Sequence, residues 1–473
     1  MPGKENKNRQ TYNNFMSKNK ISRSEFLSYS ALAGAAGVIG VPTALTGCGS
    51  GKQSAEKTGY VPLQGGAEIY IPDVRGGKAI AGRRVKAGVI GCGGRGSGAA
   101  NNFLDCADDV TITALADLFP DKLQILRDAL LKRGISVADD SVYYGFDAYK
   151  QLIDNADIDM VIIATPTLFH PYHMKYAVDN GKHVFVEKPA AVDAAGCRTV
   201  LAACKVAEAK GVSVVTGTQY HHSPAYIESC KRIREGWLGE IVSGNCYYNQ
   251  GGTWFIKRKE GWSDIEYMVR DFFNWHWLSG DFILDQCVHY IDVFGWITNL
   301  KPVSALGMGG RAQRTEGNIY DFITADLVYE GGVHCHAMSR QINECANLTA
   351  TYIYGTKGWW NTLDFGMRDY QGNVHWKWDG EAYAEEYPIQ DPYILEHADL
   401  VNHIRRDDPI CLGEVAAHSA AICNMARESA YSGQLFTFEE FMNSDLNYMP
   451  EDIKLGPYPG GIPPVRLPGK SNG

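Results

Sequence analysis

The chain has 473 residues, of which 45% are hydrophobic and 21% are charged, which is enough apolar material for two folding units. Its formal net charge is -9, and the first 48 residues carry six Lys or Arg against two Glu, so the remainder is strongly acidic. This balance excludes nucleic acid as an expected partner. The 12 cysteines form no C-x-x-C pair and no Cys/His cluster at ligand spacing, so we expect no metal site.

The first 48 residues follow the order of a secretory signal. Residues 1–23 are basic, residues 26–47 are uncharged, and the segment ends in Leu-Thr-Gly-Cys, which resembles a lipobox. The stretch around Arg23 resembles a twin-arginine signal in which Ser24 replaces the second arginine. We predict export to the periplasmic side and lipid anchorage to a bacterial membrane through Cys48. An uncleaved membrane helix is the alternative.

Residues 49–82 are predicted to form a tether and lead-in. Over residues 83–216, short apolar strands alternate with helical stretches, a pattern typical of a doubly wound parallel α/β sheet. The first strand, residues 85–90, runs into a glycine-rich loop that contains Gly91, Gly93, Gly94, Arg95 and Gly96. The spacing suits a tight turn, room for a pyrophosphate and close packing of the next helix, and so predicts a Rossmann dinucleotide-binding domain.

Asp117 ends the second predicted strand, residues 110–116, and lies 21 residues beyond Gly96. An acidic residue at this position typically binds a ribose 2'-hydroxyl and repels a 2'-phosphate, which favours NAD over NADP. The alternative role for Asp117 is a cap for the helix that begins near Pro120.

Two later strands of this half also end in polar motifs. Residues 160–164 lead into Thr165-Pro166 and a predicted helix at about residues 170–180, and residues 182–186 lead into Glu187-Lys188-Pro189. Because the carboxyl ends of parallel strands border the ligand crevice, Lys188 is placed for chemistry. A solvent-facing loop lysine is the alternative.

These motifs, with Gly355-Thr356-Lys357-Gly358 after them, occur in the order found in the glucose-fructose oxidoreductase and inositol dehydrogenase family, Gfo/Idh/MocA. The resemblance covers about residues 83–440. It implies that Lys188 reaches the nicotinamide and the substrate, that the Lys188–Pro189 peptide bond is cis, and that further residues line the cofactor. Those residues are Thr165, Pro166, His170 and Glu187.

Residues 217–442 are predicted to form an α+β domain with an open, mainly antiparallel sheet, because longer alternating strands replace the α/β pattern. One face of such a sheet is available for association, so we expect a homo-oligomer. Residues 443–473 are rich in Pro and Gly and are predicted to extend over the surface.

Asp285 and His289 are spaced to share one face of a helix. In the family that the chain resembles, an aspartate and a histidine at this spacing complete the catalytic set with the lysine, although here Cys287 replaces the usual glycine between them. Oxidation of an alcohol needs a group that takes the hydroxyl proton, and either His289 or Lys188 suits that task. Alternatively, Asp285 and His289 only satisfy one another.

The segment before Asp285 is aromatic and predicts a sugar-binding surface, because flat sugar faces stack on aromatic rings. The candidate substrate-binding residues are Trp275, His276, Trp277 and Tyr320. Core packing is the alternative explanation for both tryptophans.

Taken together, the motifs predict an NAD-dependent oxidoreductase that acts on a sugar, glycoside or polyol. Two alternatives remain: an NAD-dependent glycoside hydrolase that acts by transient oxidation and elimination, and a non-catalytic sugar-binding lipoprotein. Since free NAD is scarce outside the cytoplasm, we also expect a tightly held cofactor that is recycled.

Overall fold

A computed structural model of the chain describes residues 60–62, 68–252 and 254–469. The chain divides into two compact units, residues 1–56 and residues 57–473, and all of the described residues belong to the second. The predicted signal segment and Cys48 lie outside the described residues, so export and lipidation stay predictions. Within the described residues, no helix is both long enough and apolar enough to cross a bilayer.

The described strands belong to three sheets. They are β1 (Tyr60–Pro62), β2 (Glu68–Tyr70), β3 (Val85–Ile90), β4 (Val110–Asp117), β5 (Val142–Tyr144), β6 (Met160–Ile163), β7 (His183–Val186), β8 (Val214–Thr216), β9 (Ile241–Gln250), β10 (Pro302–Gly310), β11 (Phe322–Tyr329), β12 (Val333–Gln341), β13 (Leu348–Gly355), β14 (Trp359–Asn361), β15 (Gly366–Arg368), β16 (Val374–Lys377) and β17 (Phe436–Thr437).

The described α-helices cover the sheets and connect their strands. They are α1 (Gly94–Cys106), α2 (Pro120–Lys132), α3 (Ala148–Asn155), α4 (His170–Asp179), α5 (Ala194–Lys210), α6 (Pro224–Arg234), α7 (Asp264–Arg270), α8 (His276–Ser279), α9 (Val288–Thr298), α10 (Pro392–Arg406), α11 (Gly413–Ser432) and α12 (Phe438–Asn443).

The first large sheet has six parallel strands in the order β5-β4-β3-β6-β7-β8. The order reverses between β3 and β6, and in doubly wound sheets this switch point is where the ligand crevice opens. Helices bury both faces, and the strand residues are correspondingly apolar, as in Met160–Ile163, where all four are buried. The predicted Rossmann architecture is therefore confirmed.

Helix α10 packs against this nucleotide-binding sheet, although it lies inside the range predicted for the second domain. Its Val401 and Ile404 share one apolar cluster with Val85 and Phe103. The chain just beyond α10 also joins the sheet edge, since the backbone amide of Val214 donates to the carbonyl of Ile410 at 2.7 Å. Helix α10 therefore completes the core of the nucleotide-binding sheet from within the range predicted for the second domain, and the domain boundaries stay a prediction.

The second large sheet has nine strands in the order β16-β15-β14-β13-β9-β12-β11-β10-β17. Every neighbouring pair is antiparallel except β9 and β12, so the predicted open, mainly antiparallel sheet is confirmed. Helices α9 and α11 cover one face. On β12, Cys335 is buried while His334 and His336 are exposed, so these three side chains alternate between the two faces.

Between residues 444 and 469, the part of the tail that the structure describes, the chain runs over the surface without helix or strand. It is nevertheless anchored. The hydroxyl of Tyr448 donates to the buried carboxylate of Glu428 at 2.7 Å, and Nη1 of Arg466 donates to the same carboxylate at 2.9 Å.

Candidate active site

The glycine-rich loop at the end of β3 has the shape that a dinucleotide requires. Gly91 has φ +93°, and a Cβ there would lie 2.6 Å from the carbonyl carbon of Ala164. A Cβ at Gly96 would lie 1.8 Å from the backbone oxygen of Gly91, so only glycine lets α1 approach the loop. At Gly93 and Gly94, a Cβ would meet nothing within 4 Å. The loop therefore leaves open space where a pyrophosphate would lie against the helix N-terminus.

A cavity of about 460 Å³ opens beside this loop. Its walls come from both halves of the chain and include the aromatic rings of Phe119, Phe146, Tyr149 and Phe272. The predicted cofactor residues on its surface are Gly91, Gly93, Gly94, Arg95, Asp117, Thr165 and Pro166. A volume of this size suits a small-molecule or cofactor site.

Asp117 stands at the rim of the cavity with both carboxylate oxygens bonded to backbone. Oδ2 accepts from the amide of Cys92 at 2.7 Å, and Oδ1 accepts from the amide of Phe119 at 2.8 Å. Burial raises the pKa of Asp117, and these two amides oppose that shift. The N-cap of α2 is Phe119 rather than Asp117, so the helix-cap alternative does not apply. The carboxylate is held firmly at the position expected for ribose recognition.

Arg95 connects the cavity with the loop that carries Lys188. Its Nε donates to Oε1 of Glu187 at 2.5 Å, and its guanidinium lies 4.7 Å from the centroid of the Tyr393 ring on α10. Burial raises the pKa of Glu187, while the charge of Arg95 opposes the shift. Glu187 is only 4% exposed, is not part of the cavity lining and holds Arg95, so its contact with a cofactor stays a prediction.

Lys188 follows β7 and reaches into the second half of the chain. Its Nζ donates to the backbone oxygen of Asp285 at 2.5 Å. The Lys188–Pro189 peptide bond is cis, which confirms that prediction. Lys188 is therefore a crevice residue in contact with the predicted catalytic segment, not a free loop lysine.

Asp285 lies in a π-helical turn, Ile283–Cys287, which runs directly into α9. Single π turns within helices occur often at functional sites. Oδ2 of Asp285 accepts from the side-chain amide of Gln286 at 2.7 Å. Both Asp285 and His289 are described, and no hydrogen bond joins them, so the alternative in which they only satisfy one another is wrong.

His289 is the second residue of α9 and lies close enough to Lys188 and Arg95 to feel their charges. Burial and the positive charges of Lys188 and Arg95 hold the pKa of His289 well below its usual range. The imidazole is consequently neutral at pH 7 and has a lone pair for a proton. Its ring centroid is 5.5 Å from that of Tyr220, which belongs to the turn after β8 and was not predicted as a site residue.

His170 contacts the backbone of two predicted motifs, Thr165-Pro166 and Glu187-Lys188-Pro189. Its Nδ1 lies 2.8 Å from the backbone oxygen of Pro189, and its Nε2 lies 2.7 Å from that of Thr165. The side chain is buried, and burial lowers its pKa. Both ring nitrogens face backbone oxygens of the neighbouring loops and His170 is not part of the cavity lining, so its contact with a cofactor stays a prediction.

The four predicted substrate-binding residues all belong to the core. Trp275, His276, Trp277 and Tyr320 are between 1% and 6% exposed. The hydroxyl of Tyr320 donates to the backbone oxygen of Arg466 at 2.8 Å, and its ring stacks on Tyr431 with centroids 3.9 Å apart. The contact of these four residues with a substrate stays a prediction, and their burial favours core packing, the alternative given for the two tryptophans. Their aromatic character serves packing under the C-terminal segment.

Sequence reasoning missed the side of the cavity that the second half supplies. The lining residues from that half are Trp254, Ile256, Val269, Arg270 and Phe272. They lie about 160 to 180 residues beyond the glycine loop, and no motif in the sequence connects them with it. Only the folded chain brings the two segments together.

Two descriptions of known families match the chain. "Oxidoreductase family, NAD-binding Rossmann fold" matches residues 85–218, and "GFO/IDH/MocA C-terminal domain" matches residues 226–361. The boundary between these matches falls where the chain leaves β8.

The similar proteins include some named as glycosyl hydrolases and some named as inositol dehydrogenases. A "Glycosyl hydrolase family 109 protein" of Solibacter usitatus is 30% identical over 240 residues, which are 47% of this chain and 51% of the relative. An "Inositol 2-dehydrogenase/D-chiro-inositol 3-dehydrogenase" of Lactiplantibacillus plantarum is 26% identical over 197 residues, 41% of this chain and 53% of the relative. The chain thus spans about half the length of these curated relatives.

The fold also occurs in a solved structure. Scyllo-inositol dehydrogenase from Lactobacillus casei, crystallised with NAD(H) and scyllo-inositol, superimposes with a TM-score of 0.58 at 18% identity, covering 76% of this chain and 100% of that one. The two matched families together cover more than half of the chain, in the order that the structure shows. The chain belongs to the Gfo/Idh/MocA oxidoreductase family, with an NAD-binding Rossmann domain.

Proposed function

We propose that the protein is an NAD-dependent oxidoreductase that interconverts a hydroxyl and a ketone on a sugar, glycoside or polyol. The observation that carries the proposal is the contact of Lys188 with the turn that holds Asp285, directly before His289. Arg95 joins this meeting point to the cavity through Glu187. A family relative named as an inositol dehydrogenase supports a polyol or sugar as the substrate class.

The glycine loop fits NAD, because Gly93 leaves open space toward the cavity and Asp117 offers a carboxylate at its rim. A carboxylate at that position favours a ribose hydroxyl and disfavours the 2'-phosphate of NADP. When bound, NAD accepts the hydride from the carbinol carbon or returns it to the ketone.

The proton of the substrate hydroxyl passes to His289. Burial and the charges of Lys188 and Arg95 lower the pKa of His289, which leaves the imidazole neutral but makes it a weaker base than a free histidine. It takes the proton as departure of the hydride makes the substrate hydroxyl more acidic. Lys188 donates a hydrogen bond to the same substrate oxygen and stabilises the negative charge that develops on it. The backbone oxygen of Asp285 aims the lysine, because it accepts a hydrogen bond from Nζ.

A second candidate function is favoured by relatives named as glycosyl hydrolase family 109 proteins. In that case the same groups would oxidise a glycoside transiently, permit elimination of the leaving group and then return the hydride. The oxidation of the hydroxyl-bearing carbon is the same in both activities, so only the product distinguishes them. A sugar-binding protein without turnover is the third candidate.

The uncovered face of the nine-stranded sheet supports association of the protein with itself. Leu306 is 50% exposed, Met308 68% and Phe322 37% on that face, which is an unusual concentration of large apolar side chains. We propose that a second copy covers them. Size-exclusion chromatography with light scattering tests this, and a strictly monomeric protein would contradict it.

Export and lipidation at Cys48 belong to the same proposal and rest on the sequence pattern. An exported enzyme meets little free NAD, so the cofactor is retained through successive turnovers and regenerated by a second substrate or within one cycle. Mass spectrometry of the membrane-extracted protein would test lipidation, since a diacylglyceryl Cys48 at the N-terminus is expected.

The test of the proposed activity starts with the nucleotide. Purified mature protein is denatured, and the released nucleotide is identified by chromatography and mass. Stoichiometric NAD or NADH is expected, and the protein is then incubated with sugars, glycosides and polyols. A ketone product supports the oxidoreductase, a cleaved glycoside supports the hydrolase, and a protein that neither contains nor binds NAD refutes both.

A further inference from the structure

A segment of the second half forms one wall of the nucleotide cavity. Residues 254–272, here named the strap, include α7 and contribute Trp254, Arg270 and Phe272 to the cavity surface. The opposite wall contains Asp117 and Phe119 at the carboxyl end of β4. The cavity is therefore enclosed between two parts of the chain that are remote in sequence.

Arg270 fixes the strap to the nucleotide-binding domain. Its Nη1 and Nη2 donate to the two carboxylate oxygens of Asp121 at 3.1 and 3.0 Å, a bidentate pair. Its Nε donates to Glu266 within α7 at 3.0 Å. The guanidinium carbon lies 3.8 Å from the ring centroid of Phe119 and 4.9 Å from that of Trp262, so the cation is held between two rings.

The place of this contact identifies the part of the cofactor that it touches. Asp121 belongs to the first turn of α2, four residues beyond Asp117, whose carboxylate faces the ribose position. The side chain of Arg270 is only 14% exposed although Asp121 is 53% exposed, so the pair closes the outer side of the cavity. Trp254 and Phe272, whose ring centroids are 6.0 Å apart, add aromatic surface for a planar base.

We propose that the strap clamps the adenosine half of NAD and that the Arg270–Asp121 pair is the latch that retains the cofactor. Release of the nucleotide then requires the Arg270–Asp121 pair to break and the strap, with Trp254 and Phe272, to separate from Phe119. The inference rests on the NAD-binding fold and names the residues responsible for the retention proposed above. It does not depend on which substrate is oxidised.

The test measures release of NADH and binding of ADP-ribose by the full mature protein. Bound NADH is displaced by excess NAD, and its dissociation is followed by energy transfer from tryptophan. Arg270→Gln removes both the pair with Asp121 and the pair with Glu266. Asp121→Asn removes only the charged pair with Arg270, because Arg270 still pairs with Glu266 within α7. We expect both variants to release NADH roughly tenfold faster, as loss of a charged pair and a cation–π contact implies.

ADP-ribose separates the clamp from the catalytic end, since it lacks nicotinamide. Its dissociation constant should rise by a similar factor in both variants. Arg133→Gln is the matched control. Arg133 lies just beyond the far end of α2, pairs with Asp105 of α1 and does not line the cavity, so this variant should release NADH at the wild-type rate. Wild-type release rates in both latch variants would overturn the clamp alone. A wild-type protein that binds neither nucleotide would overturn the clamp and the proposed function together.

Discussion

The glycine loop permits a prediction in which three neighbouring alanine substitutions have different outcomes. Gly96→Ala places a Cβ 1.8 Å from the backbone oxygen of Gly91, and neither backbone can move away without opening the contact between α1 and β3. Gly93→Ala and Gly94→Ala place a Cβ in open space. Of these two, Gly93 faces the position of the pyrophosphate, whereas Gly94 begins α1.

Two opposing effects set the change in the free energy of unfolding that Gly96→Ala should cause. Alanine is favoured over glycine inside a helix by about 1 kcal/mol. Over-packing typically costs about 1–3 kcal/mol, and a clash between two backbone segments belongs at the upper end of that range. We therefore expect Gly96→Ala to lower the free energy of unfolding by about 2 kcal/mol and to abolish tight NADH binding.

The assay combines urea unfolding with NADH titration on all three variants. Gly93→Ala should unfold at the wild-type urea concentration but bind NADH at least tenfold more weakly, because its methyl group occupies cofactor space. Gly94→Ala should also unfold at the wild-type urea concentration, and because Gly94 lines the cavity but begins α1, it should weaken NADH binding less than Gly93→Ala does. If Gly96→Ala is as stable as the wild type, or if Gly93→Ala binds NADH normally, the account of this loop given above is wrong.

Three further predictions concern catalysis, cofactor choice and acid stability. Lys188→Ala and His289→Ala should each lower kcat by roughly 100-fold or more while NADH still binds, as expected for groups that act on the transferred proton; near-normal turnover in both would contradict their assignment. Asp117→Asn should reduce the preference for NAD over NADP by about tenfold in paired titrations, since the charge that repels a 2'-phosphate is lost, and an unchanged ratio would argue against ribose recognition by this residue. His397 is fully buried between aromatic rings, and burial and the charge of Arg95 hold its pKa well below 6.5, so the unfolded chain binds a proton that the folded chain does not. The free energy of unfolding of the wild type should therefore fall by about 1 kcal/mol more than that of His397→Leu between pH 7.5 and pH 5.5, and equal losses in the two proteins would refute this contribution.

Local sequence patterns were sufficient for the nucleotide half. The strand at residues 85–90, the glycine spacing and the terminal Asp117 were predicted at the positions where the structure has them. They could be predicted because each depends on neighbours within one βαβ unit: alternating burial, a turn that only glycine can form and the start of a helix. Lys188 was predictable for the same reason, since strand ends in a parallel sheet share one edge.

The sequence could not specify the surroundings of several predicted residues. His170 faces backbone oxygens of its neighbouring motifs, and the aromatic group around Trp275 is buried under the C-terminal segment. Helix α10 lies in the range predicted for the second domain but packs on the first sheet, because an amphipathic pattern does not specify the surface that it will cover.

What the sequence by itself determined is the fold class and the NAD-binding loop, and it named Lys188, Asp285 and His289 as candidates. Only the tertiary structure decided that a π-helical turn at Asp285 leads into α9, that Arg95 and Glu187 join the cavity to the loop of Lys188, and that the strap forms one wall of the cavity. The physical reason is that periodicity and turn chemistry act over a few residues. Side-chain pairing across a crevice, as between Arg270 and Asp121, depends on how separately folded segments pack, and 149 residues separate that pair.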